Sequence, residues 1–221
     1  MFVGHYAAAF AGRAASVAVP LWVLFFGVQF VDFLWAGFIL TGIEEARVVD
    51  GFVEASNLDL HHMPYTHSLV GSLFWSVIFA AGYVLIARPQ NWKLAALLTG
   101  GAVFSHWLTD LIVHVPDLPL VYGEPKVGFG LWRSLLWSQA LEVTILLAGT
   151  IWFVRRTVPN GIVGRLSPWL LLGVLLVMQL VSHLPAEELP SIQAFAVQAL
   201  IAFTVPVLIA ALVDATRAAK P

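Results

Sequence analysis

Residues 92–114 read WKLAALLTGGAVFSHWLTDLIVH, from Trp92 to His114. The stretch is long and apolar enough to cross a bilayer, which takes about 20 residues in helical form. Its second half nevertheless carries His106, Asp110 and His114. Spacing of i, i+4 and i+8 lines these side chains along one helical face. Ionisable groups at membrane depth are expensive, and where they occur they mark a metal, proton or substrate site. The segment thus points at once to a helical membrane protein and to a polar site buried inside it.

Composition extends the first point. Of 221 residues, 60% are apolar and 11% charged, with a mean hydropathy of +0.87. Soluble domains carry about 45–50% apolar and about 25% charged residues. Further spans are expected at Pro20–Ile43, Thr66–Ala87, Leu131–Val154, Pro168–His183 and Ser191–Val213, with Pro206 a kink in the last. Val3–Ser16 is helical but too short to span, and either lies on the surface or dips into the bundle as a half-helix. Gly and Pro punctuate the connections at Arg88-Pro89, Pro116 to Gly130, Pro159-Asn160-Gly161 and Pro185 to Pro190. The expected fold is all-α, a polytopic transmembrane helical bundle of about six spans plus a short N-terminal helix. It forms a single integral-membrane domain over residues 1–221.

Charge orients the bundle. Arg13, Arg88, Lys93, Arg155, Arg156, Arg165, Arg217 and Lys220 fall on one side, and only Arg47, Lys126 and Arg133 on the other. Cytoplasmic connections are the Lys/Arg-rich ones, so the C-terminus is expected in the cytoplasm and the loop Glu44–Tyr65 outside. The N-terminus lacks a basic region and a cleavage motif after a short apolar core, so the first span is expected to act as the insertion signal. The net charge of −2 gives no sign of nucleic-acid binding, and the absence of cysteine excludes disulfides and thiolate metal sites. Any metal must be held by His, Asp and Glu.

The polar residues within spans gather in the outward leaflet: Gln29 and Asp32, His106 and Asp110, Gln139 and Glu142, Gln179 and His183, and Gln198. That pattern fits a pocket opening outward, whereas a channel would be polar right across. His106-x-x-x-Asp110 offers ligands on adjacent turns for one ion or two. Its plainer reading is a hydrogen-bonded pair that locks helices together. His114 is as much an interfacial residue as a site residue. His62 and His67 begin the second span, where Pro64 interrupts a continuous helix and lets the two converge through a turn. In a wet interfacial loop they would mean little. Asp32 has no basic residue in its own span, so it needs a partner from another helix or a shared metal. Glu142 has the same need and is a ligand, a carboxylate behind the ligands or a general base. His5 reaches the site only if the N-terminal helix dips in. The acidic loop residues Glu44, Glu45, Asp50, Glu54 and Asp59 read as a solvated face.

At these residues the chain resembles the bacterial inner-membrane family of membrane-bound metal-dependent hydrolases. That pattern has an N-terminal His ahead of a Gly, Pro-Asp-x-Asp ending an early apolar run, His-Arg-x-x-Thr-His-Ser, and a helical His-x-x-x-Asp. His5 with Gly12 looks like the first element and Asp32 like the second. His62 to Thr66-His67-Ser68 is similar to the third, and His106 to Asp110 to the fourth. One aspartate stands where the family has two, and Met63 replaces the Arg. The likeness covers roughly the first 120 residues. It implies a divalent-metal site of His5, Asp32, His62, His67, His106 and Asp110, which includes the half-helix reading of the N-terminus.

The function expected is a membrane-embedded metal-dependent hydrolase of the inner membrane. Its metal would be zinc, with manganese the alternative, and Glu142 its general base. A site at that depth favours an amphipathic or lipid substrate, such as a lipid-linked phosphoester. The rivals are an ion- or proton-coupled transporter and a non-catalytic subunit of a membrane complex that binds a pigment, lipid or partner chain.

Overall fold

Helix caps and apolar periodicity set the elements in the computed structural model, which describes residues 1–185 and 188–220. The expected connection from Pro185 to Pro190 includes residues 186 and 187, which lie outside the described residues, as does residue 221. A 3-10 turn at Val3–His5 leads into α1 (Tyr6–Ala15), followed by α2 (Leu21–Val28) and α3 (Phe30–Thr41). A hairpin of β1 (Glu45–Val53) and β2 (Ser56–His62) precedes α4 (Leu69–Ala87) and α5 (Trp92–Val113). The short pair β3 (Leu118–Pro119) and β4 (Lys126–Val127) precedes α6 (Leu135–Arg156). Then come β5 (Thr157–Pro159), α7 (Gly161–Val181), α8 (Ile192–Thr216) and β6 (Arg217–Ala219).

The all-α polytopic bundle expected from the sequence is what forms. Five helices, α4 to α8, are long and apolar enough to cross a membrane, and α2 with α3 is a bent pair that makes six if it counts as one span. Their outer faces are apolar, with Leu85 73% and Ile86 86% exposed. In water such a surface would drive aggregation, and in lipid it is the proper solvent contact. Ser68, Asn91, Ser134 and Ser191 cap α4, α5, α6 and α8 by accepting backbone N–H bonds, which satisfies donors left bare at a helix start.

The structure departs from the expected segments in three places. Pro20–Ile43 is not one straight helix but two, bent by 47° at Gln29. The bend has a cause: His106 Nδ1 from α5 reaches the Val28 carbonyl at 2.7 Å, and a side chain entering the helical ladder kinks it. The Glu44–Tyr65 loop folds as an antiparallel hairpin. The fifth span starts at Gly161 and runs unbroken through Pro168, just as α8 runs through Pro206.

The N-terminal helix dips in. Val3, Tyr6, Ala9 and Phe10 are completely buried, and α1 packs on α6 and α2. Gly149 on α6 permits this, because a Cβ there would lie 2.9 Å from the Ala7 carbonyl oxygen. Arg13 at the far end of α1 pairs with Asp214 of α8 at 3.3 Å. β5 and β6 pair with each other, so the α6–α7 connection and the end of α8 share one end of the bundle.

Two apolar clusters fill the interior. One joins α1, α2 and the halves of α5, α6 and α8 at the Arg13 end, including Phe10, Phe25, Ala102 and Phe153. The other joins Trp35, Leu60, Met63, Val113 and Trp132 beneath the hairpin. The polar residues of α3, α5 and α6 fall between them in sequence and in space.

Candidate metal centre

Asp110 stands at the middle of this polar layer, 1% exposed. Its Oδ2 lies 3.0 Å from His106 Nε2 and 3.9 Å from His67 Nε2. Its Oδ1 lies 3.2 Å from His5 Nε2 and 3.6 Å from His114 Nε2. The Met1 amine nitrogen is 2.6 Å from the same oxygen. Asp32, brought across by α3, places Oδ1 3.1 Å from His67 Nε2 and 3.4 Å from His106 Nε2. The His5 and His106 rings stack at 3.7 Å.

The opposite edge of each imidazole is equally informative. His106 Nδ1 donates to the Val28 carbonyl at 2.7 Å, an acceptor that leaves the ring no alternative tautomer. Thr109 donates its hydroxyl to the Ser105 carbonyl and so accepts from His5 Nδ1 at 2.8 Å. Thr66 donates to Glu44 Oε2 at 2.6 Å and accepts from His67 Nδ1 at 2.7 Å. His114 Nδ1 donates to Asp117 Oδ1 at 2.8 Å.

Each ring therefore hydrogen-bonds outward through Nδ1 and turns Nε2 toward carboxylate oxygens, with His67 Nε2 in hydrogen-bond reach of Asp32 Oδ1 at 3.1 Å. Nε2 atoms and carboxylates at 3.0–3.4 Å attract when the rings are protonated, and with neutral rings they need a cation beside them, a charge the Met1 ammonium already supplies at Asp110 Oδ1. His5 Nε2 and His106 Nε2 have no well-aligned hydrogen-bond partner. An outer partner that fixes the tautomer and a free nitrogen aimed at carboxylates are the mark of a metal-holding histidine. Two overlapping groups have ligand atoms within 4.8 Å of one another: His5, Asp32 and His106, and His67, His106 and Asp110. Buried His and Asp side chains here could hold a metal ion, as the sequence suggests.

The structure brings together His5, Asp32, His67, His106 and Asp110 from the expected set. His62 stands apart. It lies on β2 opposite Glu45, with its ring 6.0 Å from Tyr122, and it enters neither ligand group. The reason is the turn at Pro64: His67 N–H bonds back to the Met63 carbonyl, which points His67 inward and leaves the hairpin strand outside. Glu142 is buried behind His5, where its Oε2 accepts the Phe2 and Gly4 N–H groups at 2.9 and 3.1 Å. It anchors the turn that delivers His5.

Two further residues adjoin the cluster, the first only half legible in the sequence and the second not at all. His114, read as equally interfacial, is 2% exposed against the Trp132 ring. The residues after Pro116 fold back and roof it, with Gly130 N–H bonding the His114 carbonyl at 2.7 Å. The i+8 spacing was the signal for it. Glu44, read as part of a solvated acidic face, is 1% exposed and accepts from the Tyr65 and Thr66 N–H groups and the Thr66 hydroxyl. Nothing in the local sequence distinguishes it from Glu45. Gln139, Gln179 and His183 form a separate chain of hydrogen bonds between α6 and the end of α7.

No protein-family model, curated protein or solved structure matches this chain.

Proposed function

We propose that the protein is a metal-dependent hydrolase of the bacterial inner membrane, with the His/Asp centre as its active site. The observation that carries the metal reading is the shared orientation of His5, His67, His106 and His114, each bonded outward through Nδ1 and facing Asp110 or Asp32 with Nε2. The donor set of imidazole and carboxylate without thiolate suits zinc first and manganese second. It exceeds the four ligands a tetrahedral zinc takes, which favours a pair of ions bridged by the two oxygens of Asp110. A cation here would polarise a scissile oxygen and activate water.

The resemblance to the membrane-bound metal-dependent hydrolases supports this reading through His5, Asp32, Thr66-His67-Ser68 and His106 to Asp110. The centre lies between the bundle core and the hairpin end, so the substrate class is amphipathic, a lipid-linked phosphoester or similar head-group bond. With Lys and Arg concentrated at the β5–β6 end, the C-terminus is cytoplasmic and the hairpin external.

Metal analysis of the purified protein, beside His106→Ala and with a chromogenic phosphoester as substrate, is the test. Wild type should hold one to two ions per chain, by the ligand count above, and hydrolyse only when loaded. His106→Ala should do neither. Equal absence of metal from both ends the proposal. Bound metal without hydrolysis of any phosphoester would instead favour a non-catalytic metal-holding subunit.

A further inference from the structure

The metal reading leaves a second set of buried polar atoms unused. Gln29 is fully buried, yet neither its Oε1 nor its Nε2 has a hydrogen-bond partner. The Tyr6 hydroxyl, also fully buried, has only the Gln29 amide beside it, outside good hydrogen-bond geometry. Both residues adjoin anchors of the centre. Tyr6 follows His5, and Gln29 follows Val28, whose carbonyl holds His106. The Tyr6 ring is fixed by stacking on Phe25 at 4.7 Å, which fixes where its hydroxyl points.

Buried amides and hydroxyls are nearly always bonded, and leaving them bare destabilises a fold. A leucine would fill the Gln29 position without that penalty, so the amide reads as kept for a ligand. We propose that Gln29 and Tyr6 form an oxyanion subsite beside the metal centre, built to take a phosphoryl group. The proposal rests on the metal reading above.

Gln29 Nε2 and the Tyr6 hydroxyl donate to phosphoryl oxygens, and Gln29 Oε1 accepts from a P–OH. Neither side chain brings a charge. The anion is therefore held only when a cation offsets Asp32 and Asp110, which otherwise repel it. Sulfate, which carries no proton to give Oε1, binds more weakly than phosphate.

The test uses the full chain in detergent and follows the thermal midpoint with zinc, inorganic phosphate and sulfate. Zinc should raise the midpoint of wild type. Phosphate at about ten times its dissociation constant should add roughly 3–6 °C, and only when zinc is present. Gln29→Leu should have an apo midpoint equal to or above that of wild type, keep the zinc shift and lose the phosphate shift. Tyr6→Phe should keep the zinc shift and reduce the phosphate one. A phosphate shift that survives in Gln29→Leu overturns the subsite, as does an apo midpoint well below wild type, which would make Gln29 structural. A zinc shift without any phosphate shift in wild type overturns the subsite alone. No zinc shift in wild type overturns the metal reading and the subsite with it.

Discussion

Replacing Thr66 by valine keeps the shape of the side chain and removes its hydroxyl, the middle link between Glu44 and His67. That hydroxyl donates to Glu44 Oε2 at 2.6 Å and accepts from His67 Nδ1 at 2.7 Å. Two effects follow, and they are separable. Without metal, a buried carboxylate loses one of its hydrogen bonds, and bonds to charged groups contribute about 1.5–3 kcal/mol. At roughly 2–4 °C per kcal/mol for a chain of this size, the midpoint should fall by roughly 3–12 °C. With metal, His67 loses the partner that fixes its tautomer and ring angle, and losing such a partner weakens metal affinity about 10–100-fold. Chelator-buffered zinc titration of the detergent-solubilised protein reads the second effect, and thermal denaturation in chelator reads the first. Thr66→Ser, which restores the hydroxyl, should recover most of the affinity. The reasoning fails if Thr66→Val lowers stability while binding zinc as tightly as wild type, since His67 would then not be a ligand.

Chelation should lower the wild-type midpoint by roughly 5–11 °C if the metal is present at about 100 times its dissociation constant. Asp110→Asn, lacking the carboxylate that meets four histidines, should respond little, and an undiminished response would remove Asp110 from the centre. Glu142→Leu strands the Phe2 and Gly4 N–H groups, at about 1–3 kcal/mol each, and should weaken metal binding by releasing His5. Glu142→Gln keeps an acceptor and should retain metal binding, so loss of hydrolysis in that variant alone would identify the carboxylate as a base. Gly149→Ala places a Cβ 2.9 Å from the Ala7 carbonyl and should cost about 1–3 kcal/mol by overpacking. Gly173→Ala, with open space around it, should be neutral or stabilising in the same denaturation assay.

The sequence alone determined the class of fold, because bilayer thickness and backbone hydrogen bonding leave long apolar segments with one structure, the helix. It also determined most of the centre. Ionisable groups within apolar helices stand out against a uniform background, so His106, Asp110 and Asp32 were visible one residue at a time. What it could not determine were relations between distant elements. His62 and His67 lie in the same short segment, and only the turn at Pro64 decides which one faces inward. Glu44 and Glu45 are chemically equivalent neighbours, yet one is buried on Thr66 and the other is exposed. The break at Gln29 has no proline to announce it, because its cause is a histidine 77 positions away in sequence. The N-terminal helix was too short to span and equally suited to the surface. Its place in the core follows from Gly149, Glu142 and Asp214, groups on other helices that local sequence does not reveal. Periodicity and hydropathy report what one element offers its surroundings. Which groups meet is set by packing, and packing exists only once the chain has folded.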